Sequence, residues 1–179
     1  MSSSKRDRTF ASLIAAVAQI ALLFQLCFST AHGSEILEYK IKAAYLYNFT
    51  KFISWPPKNT SSFNICIIGY DPFGSLLDSL ESKTALDKPI RIFRYDNARQ
   101  AKDCHIIYLD QADPGITIEN ALMVSSQPLF AESGGMIGFT LENEKVKLHI
   151  NLKAVKQSGL GISAKLIEVS TLVGEDEHE

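Results

Sequence analysis

The sequence predicts a single α/β domain: a largely parallel central sheet flanked by helices. Two observations carry that prediction. Phe63–Gly69 (FNICIIG) and Cys104–Leu109 (CHIIYL) are short, mostly apolar runs, the pattern of strands buried on both faces. Segments of helical periodicity precede and separate such runs, and alternating helices and strands favour parallel pairing with helices on the faces. The apolar fraction of 46% over 179 residues is that of a globular chain.

The elements follow in order. Leu37, Ile41, Tyr45, Phe49 and Phe52 recur every three or four residues, so a helix is expected from Glu35 to Trp55, stopped by Pro56-Pro57. Its aromatic side (Tyr39, Tyr45, Tyr47, Phe49, Phe52, Trp55) either packs on the sheet or stays open for a partner. After the strand at Phe63–Gly69, Asp71 is placed to cap a helix with Pro72 at its first position, and Leu76, Leu77 and Leu80 form its apolar face. Pro89–Tyr95 and Cys104–Leu109 read as the next strands, and Ala121–Val124 as a further one. Ser125–Ser133 reads as a loop or short helix, with a tight turn requiring positive φ at Ser133-Gly134-Gly135. Met136–Leu141 and Lys145–Ile150 form two strands around Glu142-Asn143-Glu144. The second is half-exposed, alternating Val146, Leu148 and Ile150 with Lys147 and His149. Asn151 is expected to cap a short helix ending near Gly159, and Ser163 a last one carrying Leu166, Ile167 and Val169. Residues 174–179 read as a disordered acidic tail.

The first 33 residues have a different character. Lys5, Arg6 and Arg8 precede an uncharged run from Phe10 to Phe28, followed by small residues around His32. That order describes a secretory signal peptide cut before Ser34, with Ala31 and Gly33 at the −3 and −1 positions. The alternatives are an uncleaved membrane anchor, since the run is 19 residues long, and lipidation at Cys27, which bulky Phe24-Gln25-Leu26 disfavour. Cleavage leaves 146 residues, one ordinary domain spanning 34–173 plus the tail. Without Asp7 and the three basic residues of the leader, 15 Lys and Arg face 19 Asp and Glu. This weak acidity excludes an electrostatic case for nucleic acid or an anionic membrane surface.

Export leaves two cysteines, Cys66 and Cys104. An even count in an oxidising compartment points to a disulfide, for which chain entropy sets an upper figure of roughly 4 kcal/mol. Two buried thiols in apolar runs are the alternative.

No catalytic set assembles. His105 adjoins Cys104, but neighbours on a strand face opposite sides, so His105 reads as structural or surface. No metal-ligand run, no nucleophile elbow and no P-loop lysine is present, so catalytic residues, metal and cofactor are all expected to be none. Asp71 and Asp110 each follow an apolar strand, where ligands meet α/β sheets. Turn formation is their alternative role. Asn48 and Asn59 open glycosylation triplets that matter only in a eukaryotic secretory pathway.

Five segments in order resemble a known family. KIKAAYLYNFTKFISWP (40–56), FNICIIGYDPFG (63–74), CHIIYL (104–109), GGMIGF (134–139) and VKLHINLKAVKQSGLGISAKLIEVS (146–170) are similar to the small periplasmic YfiR-like proteins of Gram-negative bacteria. The resemblance implies a non-enzymatic repressor. Its partner would be the periplasmic sensing domain of an inner-membrane diguanylate cyclase, held inactive so that cyclic-di-GMP and biofilm formation stay low. It also implies an outer-membrane lipoprotein that sequesters the repressor, and a homodimer. Cys66 and Cys104 fall where the family places a disulfide, whereas the second, C-terminal cysteine pair of some members is missing. Partner contact by resemblance lies near the C-terminal motif, at Leu160, Ile162, Lys165 and Leu166, for which packing of the last helix is the competing role. A periplasmic small-molecule binding module is the alternative function.

Overall fold

The computed structural model describes residues 34–111 and 118–174. The proposed leader, Cys27 and the acidic tail beyond Gly174 lie outside them. The described residues from Tyr39 onward form one compact unit; of the other unit, residues 1–38, only 34–38 are described.

Helix α1 covers residues 34–52. It buries Ala43, Leu46 and Phe49, spaced three apart along one face. Tyr45 and Phe49 both pack on Phe139, at 5.9 and 6.2 Å between ring centroids, and Tyr39 meets Phe73 edge-on at 5.5 Å. The aromatic side therefore packs on the sheet. The helix ends three residues before the expected Trp55. The next two residues, β1 (Ile53–Ser54), pair antiparallel with β9 (Gly161–Ile162) instead. That partner lies more than a hundred residues away, so no local signal announces it.

Strands β2 (Phe63–Ile68), β3 (Thr84–Ala85), β4 (Lys88–Tyr95), β5 (Ile106–Leu109), β6 (Leu122–Ser125), β7 (Ile137–Glu142), β8 (Lys145–Asn151) and β10 (Thr171–Val173) form one sheet. Their order is β10-β8-β7-β6-β5-β2-β4-β3. Only β7–β8 and β3–β4 pair antiparallel, so the fold is α/β with a largely parallel sheet. All six residues of β2 are buried, as expected of a central strand, and the one polar side chain, Asn64, donates to the Asp103 carbonyl at 2.9 Å. Alternation places Ile65, Tyr108, Val124 and Phe139 on the α1 face, and Cys66, Ile107, Met123 and Gly138 on the other.

Three short helices connect the strands: α2 (Ser75–Asp78), α3 (Leu152–Gln157) and α4 (Ala164–Glu168). Asp71 does not cap α2, whose N-cap is Gly74. Its Oδ1 instead accepts from the Phe73 and Gly74 amides at 2.8 and 3.2 Å, closing a turn before the helix. Asn151 caps α3 as expected, accepting from the Ala154 amide at 2.9 Å. Ser163 occupies the N-cap of α4, but its buried hydroxyl makes no capping bond. Val169 lies one residue past that helix, and Cys104 two residues before β5.

On the face opposite α1, the loop of residues 126–135 and helix α3 meet over Met123. Ala131 lies over Gly138, where an added Cβ would come within 3.7 Å of its own. Gly134 has φ of +104°, the turn the Ser-Gly-Gly run predicts. At Gly135 a Cβ would sit 2.5 Å from the Phe130 ring, so the ring's seat requires glycine. Cys66 and Cys104 form a disulfide with Cα atoms 5.9 Å apart, both nearly inaccessible. Cys66→Ser should lower the free energy of unfolding in denaturant titrations by about 2–5 kcal/mol. Reduction should add two hydrogens to the intact mass of the natively folded chain.

Candidate functional site

The C-terminal motif is built around α3 and β9. Ser158 ends α3, and Gly159 follows with φ of +79°. The Gly159 amide donates to the Lys156 carbonyl at 3.1 Å and the Leu160 amide to the Val155 carbonyl at 3.3 Å. This is a Schellman stop, which needs a left-handed residue where glycine stands. A Cβ there would also meet Asn120 Oδ1 at 2.9 Å. The chain then turns into β9 and runs beside β1. The Ser163 amide donates to the Phe52 carbonyl at 2.9 Å, so the motif is fastened to the end of α1. Gly161 lies so close to β1 that an added Cβ would stand 3.3 Å from the Ser54 Cβ.

The four motif residues are thereby sorted. Leu160 and Leu166 are 4% and 3% exposed and belong to the core. Ile162 is half-buried against that core, and Lys165 is exposed on α4. Ser54, Gly161 and Ala164 are exposed too. Of the four, Ile162 and Lys165 thus reach the surface, and the exposed Ser54–Gly161 pair adjoins Ile162. The β1–β9 pairing that creates it could not be read from the sequence. Its one local sign is the glycine at 161, which permits the close approach.

The strand-end aspartates are placed differently. The chain passes from β2 to β4 on one side and returns through β5 on the other, so the ends of β2 and β5 form the sheet's topological switch point. Gly69 (φ +85°) lies against Asp110 there, a Cβ at 69 falling 3.3 Å from the Asp110 Cβ. The Asp71 carboxylate takes two backbone amides on Oδ1, while Oδ2 accepts from Arg94 Nε at 2.7 Å. Arg94 Nη2 also donates to Asp78 at 2.8 Å, and these two bonds hold the guanidinium pKa above its ordinary value against slight burial. Asp71 thus serves a turn and an ion pair with Arg94 of β4, which Asp78 in turn joins to α2. The signal that could have shown this is Arg94 facing α2 from β4.

His105 is structural. It is 2% exposed and stacks on Phe63 at 4.4 Å. Its Nδ1 accepts from the Asn64 amide at 3.0 Å, and its backbone carbonyl accepts from Trp55 Nε1 at 3.0 Å. Burial, with Lys58 and Lys88 nearby, pushes its pKa down to about 4. The ring faces the Phe63 side and the disulfide the other, so Cys104 and His105 do not act as a pair.

Among the described residues no group of His, Cys, Asp and Glu side chains could hold a metal ion, and no helix is long and apolar enough to cross a membrane. Among the described residues a mixed sheet packs under one aromatic helix, is tied by the Cys66–Cys104 disulfide and carries a C-terminal clasp on that helix, which defines a small α/β fold. The chain belongs to the YfiR/HmsC-like family, whose model matches residues 39–171. No curated protein matches it.

Two measurements check this sorting. Leu160→Ala should cost about 2–5 kcal/mol of unfolding free energy, a core deletion, while Lys165→Glu should stay within about 0.5 kcal/mol. The His105 pKa is lowered from 6.5 to about 4 on folding, so the unfolded chain binds the extra proton first. Its stabilisation should be complete above pH 6.5 and decline as pH falls towards 4; His105→Gln should flatten that part of the stability–pH curve.

Proposed function

We propose that this protein is an exported, non-enzymatic regulator that binds the periplasmic sensing domain of an inner-membrane diguanylate cyclase and holds the enzyme inactive. Family membership over residues 39–171 carries the proposal. The leader-like residues 1–33 support export to the periplasm, and the Cys66–Cys104 disulfide accords with an oxidising compartment. Release of the cyclase raises cyclic-di-GMP and favours biofilm. An outer-membrane lipoprotein that sequesters the regulator, and pairing with a second copy, belong to the same proposal.

Repression by binding needs a difference in affinity. A ligand that binds two states equally shifts nothing, so the regulator must prefer the inactive cyclase. The contact surface we assign is Ile162 with Lys165, an apolar centre beside a charge, which is how small interfaces concentrate binding energy. Leu160 and Leu166 act beneath it by fixing β9 and α4.

Deleting the gene should raise cyclic-di-GMP, and restoring it should reverse the rise. Lys165→Glu should reach wild-type periplasmic abundance yet fail to restore repression. A deletion that leaves cyclic-di-GMP unchanged in cells carrying the cyclase would defeat the regulator reading. A Lys165→Glu protein that represses normally would defeat only the assigned surface.

A further inference from the structure

A cavity of about 60 Å³ lies on the sheet face away from α1, between the loop of residues 126–135 and α3. Two of the side chains that line it are methionines: Met123 of β6, and Met136, one residue before β7. Both are buried, but Gly134 and Gln157 also line the cavity and are exposed, so it opens to solvent. A water needs about 10–15 Å³ of such space, so a molecule of two oxygen atoms fits.

The two sulfurs are not equivalent. Pairing between β6 and β7 covers Val124 with Ile137 and Ser125 with Gly138. The Met123 amide lies one residue before that pairing, and it donates to the Met136 Sδ at 3.4 Å in place of a carbonyl. A thioether is a weak acceptor, so this buried N–H has a poor partner. Among the described residues the Met123 sulfur receives no hydrogen bond.

We propose that Met136 is a site of oxidation by hydrogen peroxide, at which the thioether becomes a sulfoxide whose oxygen takes over the Met123 amide. One peroxide oxygen bonds to Sδ as the O–O bond breaks. The other leaves as water, carrying both hydrogens. The sulfur gives up two electrons and the peroxide gains them. Methionine has three rotatable bonds, and the cavity gives the enlarged group space to swing its oxygen onto the amide. A buried dipole that finds a donor is stabilised, and one that finds none is costly. Met136 has that donor in place and Met123 does not, so oxidation favours Met136. At most core positions a sulfoxide disrupts packing. Here it strengthens the hydrogen bond at the end of the β6–β7 pairing. The site is independent of the proposed partner.

Peptide mapping by mass spectrometry, after hydrogen peroxide treatment of the folded, disulfide-bonded protein, tests the site. Met136 should gain one oxygen at least about five-fold faster than Met123, and the difference should vanish in denaturant. In the singly oxidised protein, amide hydrogen exchange at Met123 should slow at least about five-fold relative to the β2 amides. Met136→Gln carries an oxygen acceptor of similar reach, so it should show the same slowed exchange without peroxide. Met136→Leu keeps the volume and removes the acceptor, so exchange at Met123 should be faster than in the wild type. Oxidation of Met123 as fast as Met136, oxidation of Met136 only after unfolding, or Met123 exchange that slows in neither the sulfoxide nor the Met136→Gln protein would overturn the proposal.

Discussion

The complete burial of β2 is the constraint on which the rest of this structure depends. A strand out of reach of water must have every backbone donor and acceptor paired and both faces covered. Pairing is supplied by β4 on one side and β5 on the other, both parallel, which places the topological switch point at its end. One face is covered by α1, whose Leu46 and Phe49 reach the core alongside Phe139, and by Phe73, packed between Tyr39 of α1 and Tyr108 of β5. On the other face Cys66 is bonded to Cys104, so the segment entering β5 is tied to the strand it joins.

The C-terminal motif inherits its rigidity from that arrangement. It stands on α1, since β9 pairs with the two residues that follow the helix and the Ser163 amide is held by Phe52. Leu160 and Leu166 drive inward on either side, leaving Ile162 and Lys165 outward. A surface built this way is pre-organised, so the docking proposed for it orders little. The surface and the family-matched segment at residues 40–56 are thus one structural feature, although far apart in the chain.

The two histidines show how environment divides one side chain into two roles. His105 sits against Phe63 with its acceptor nitrogen filled by a backbone amide, and neutrality suits it. His149 sits between two carboxylates, where the cation is favoured. His105 adjoins the buried strand β5 and His149 lies on the half-exposed side of β8, so their exposure was legible but their partners were not. The carboxylates beside His149 come from a loop and a strand end, so the difference is tertiary.

The sequence by itself determined what local periodicity and composition can determine. The α/β class, the apolar runs of β2 and β5, the half-exposed alternation of β8, the Asn151 cap and the positive-φ turn before β7 were all legible, since each depends on contiguous residues. The resemblance to the YfiR-like family was legible for the same reason, being carried by short segments in order. What the sequence could not decide was the work of partners distant along the chain. The helix stops at Phe52 because β9 claims the backbone beyond it. Asp71 closes a turn and binds Arg94 instead of capping a helix. Of the four motif residues singled out together, two are core and two reach solvent. Hydrogen-bond pairing and burial are set by which surfaces meet, and only the tertiary structure brings those surfaces together.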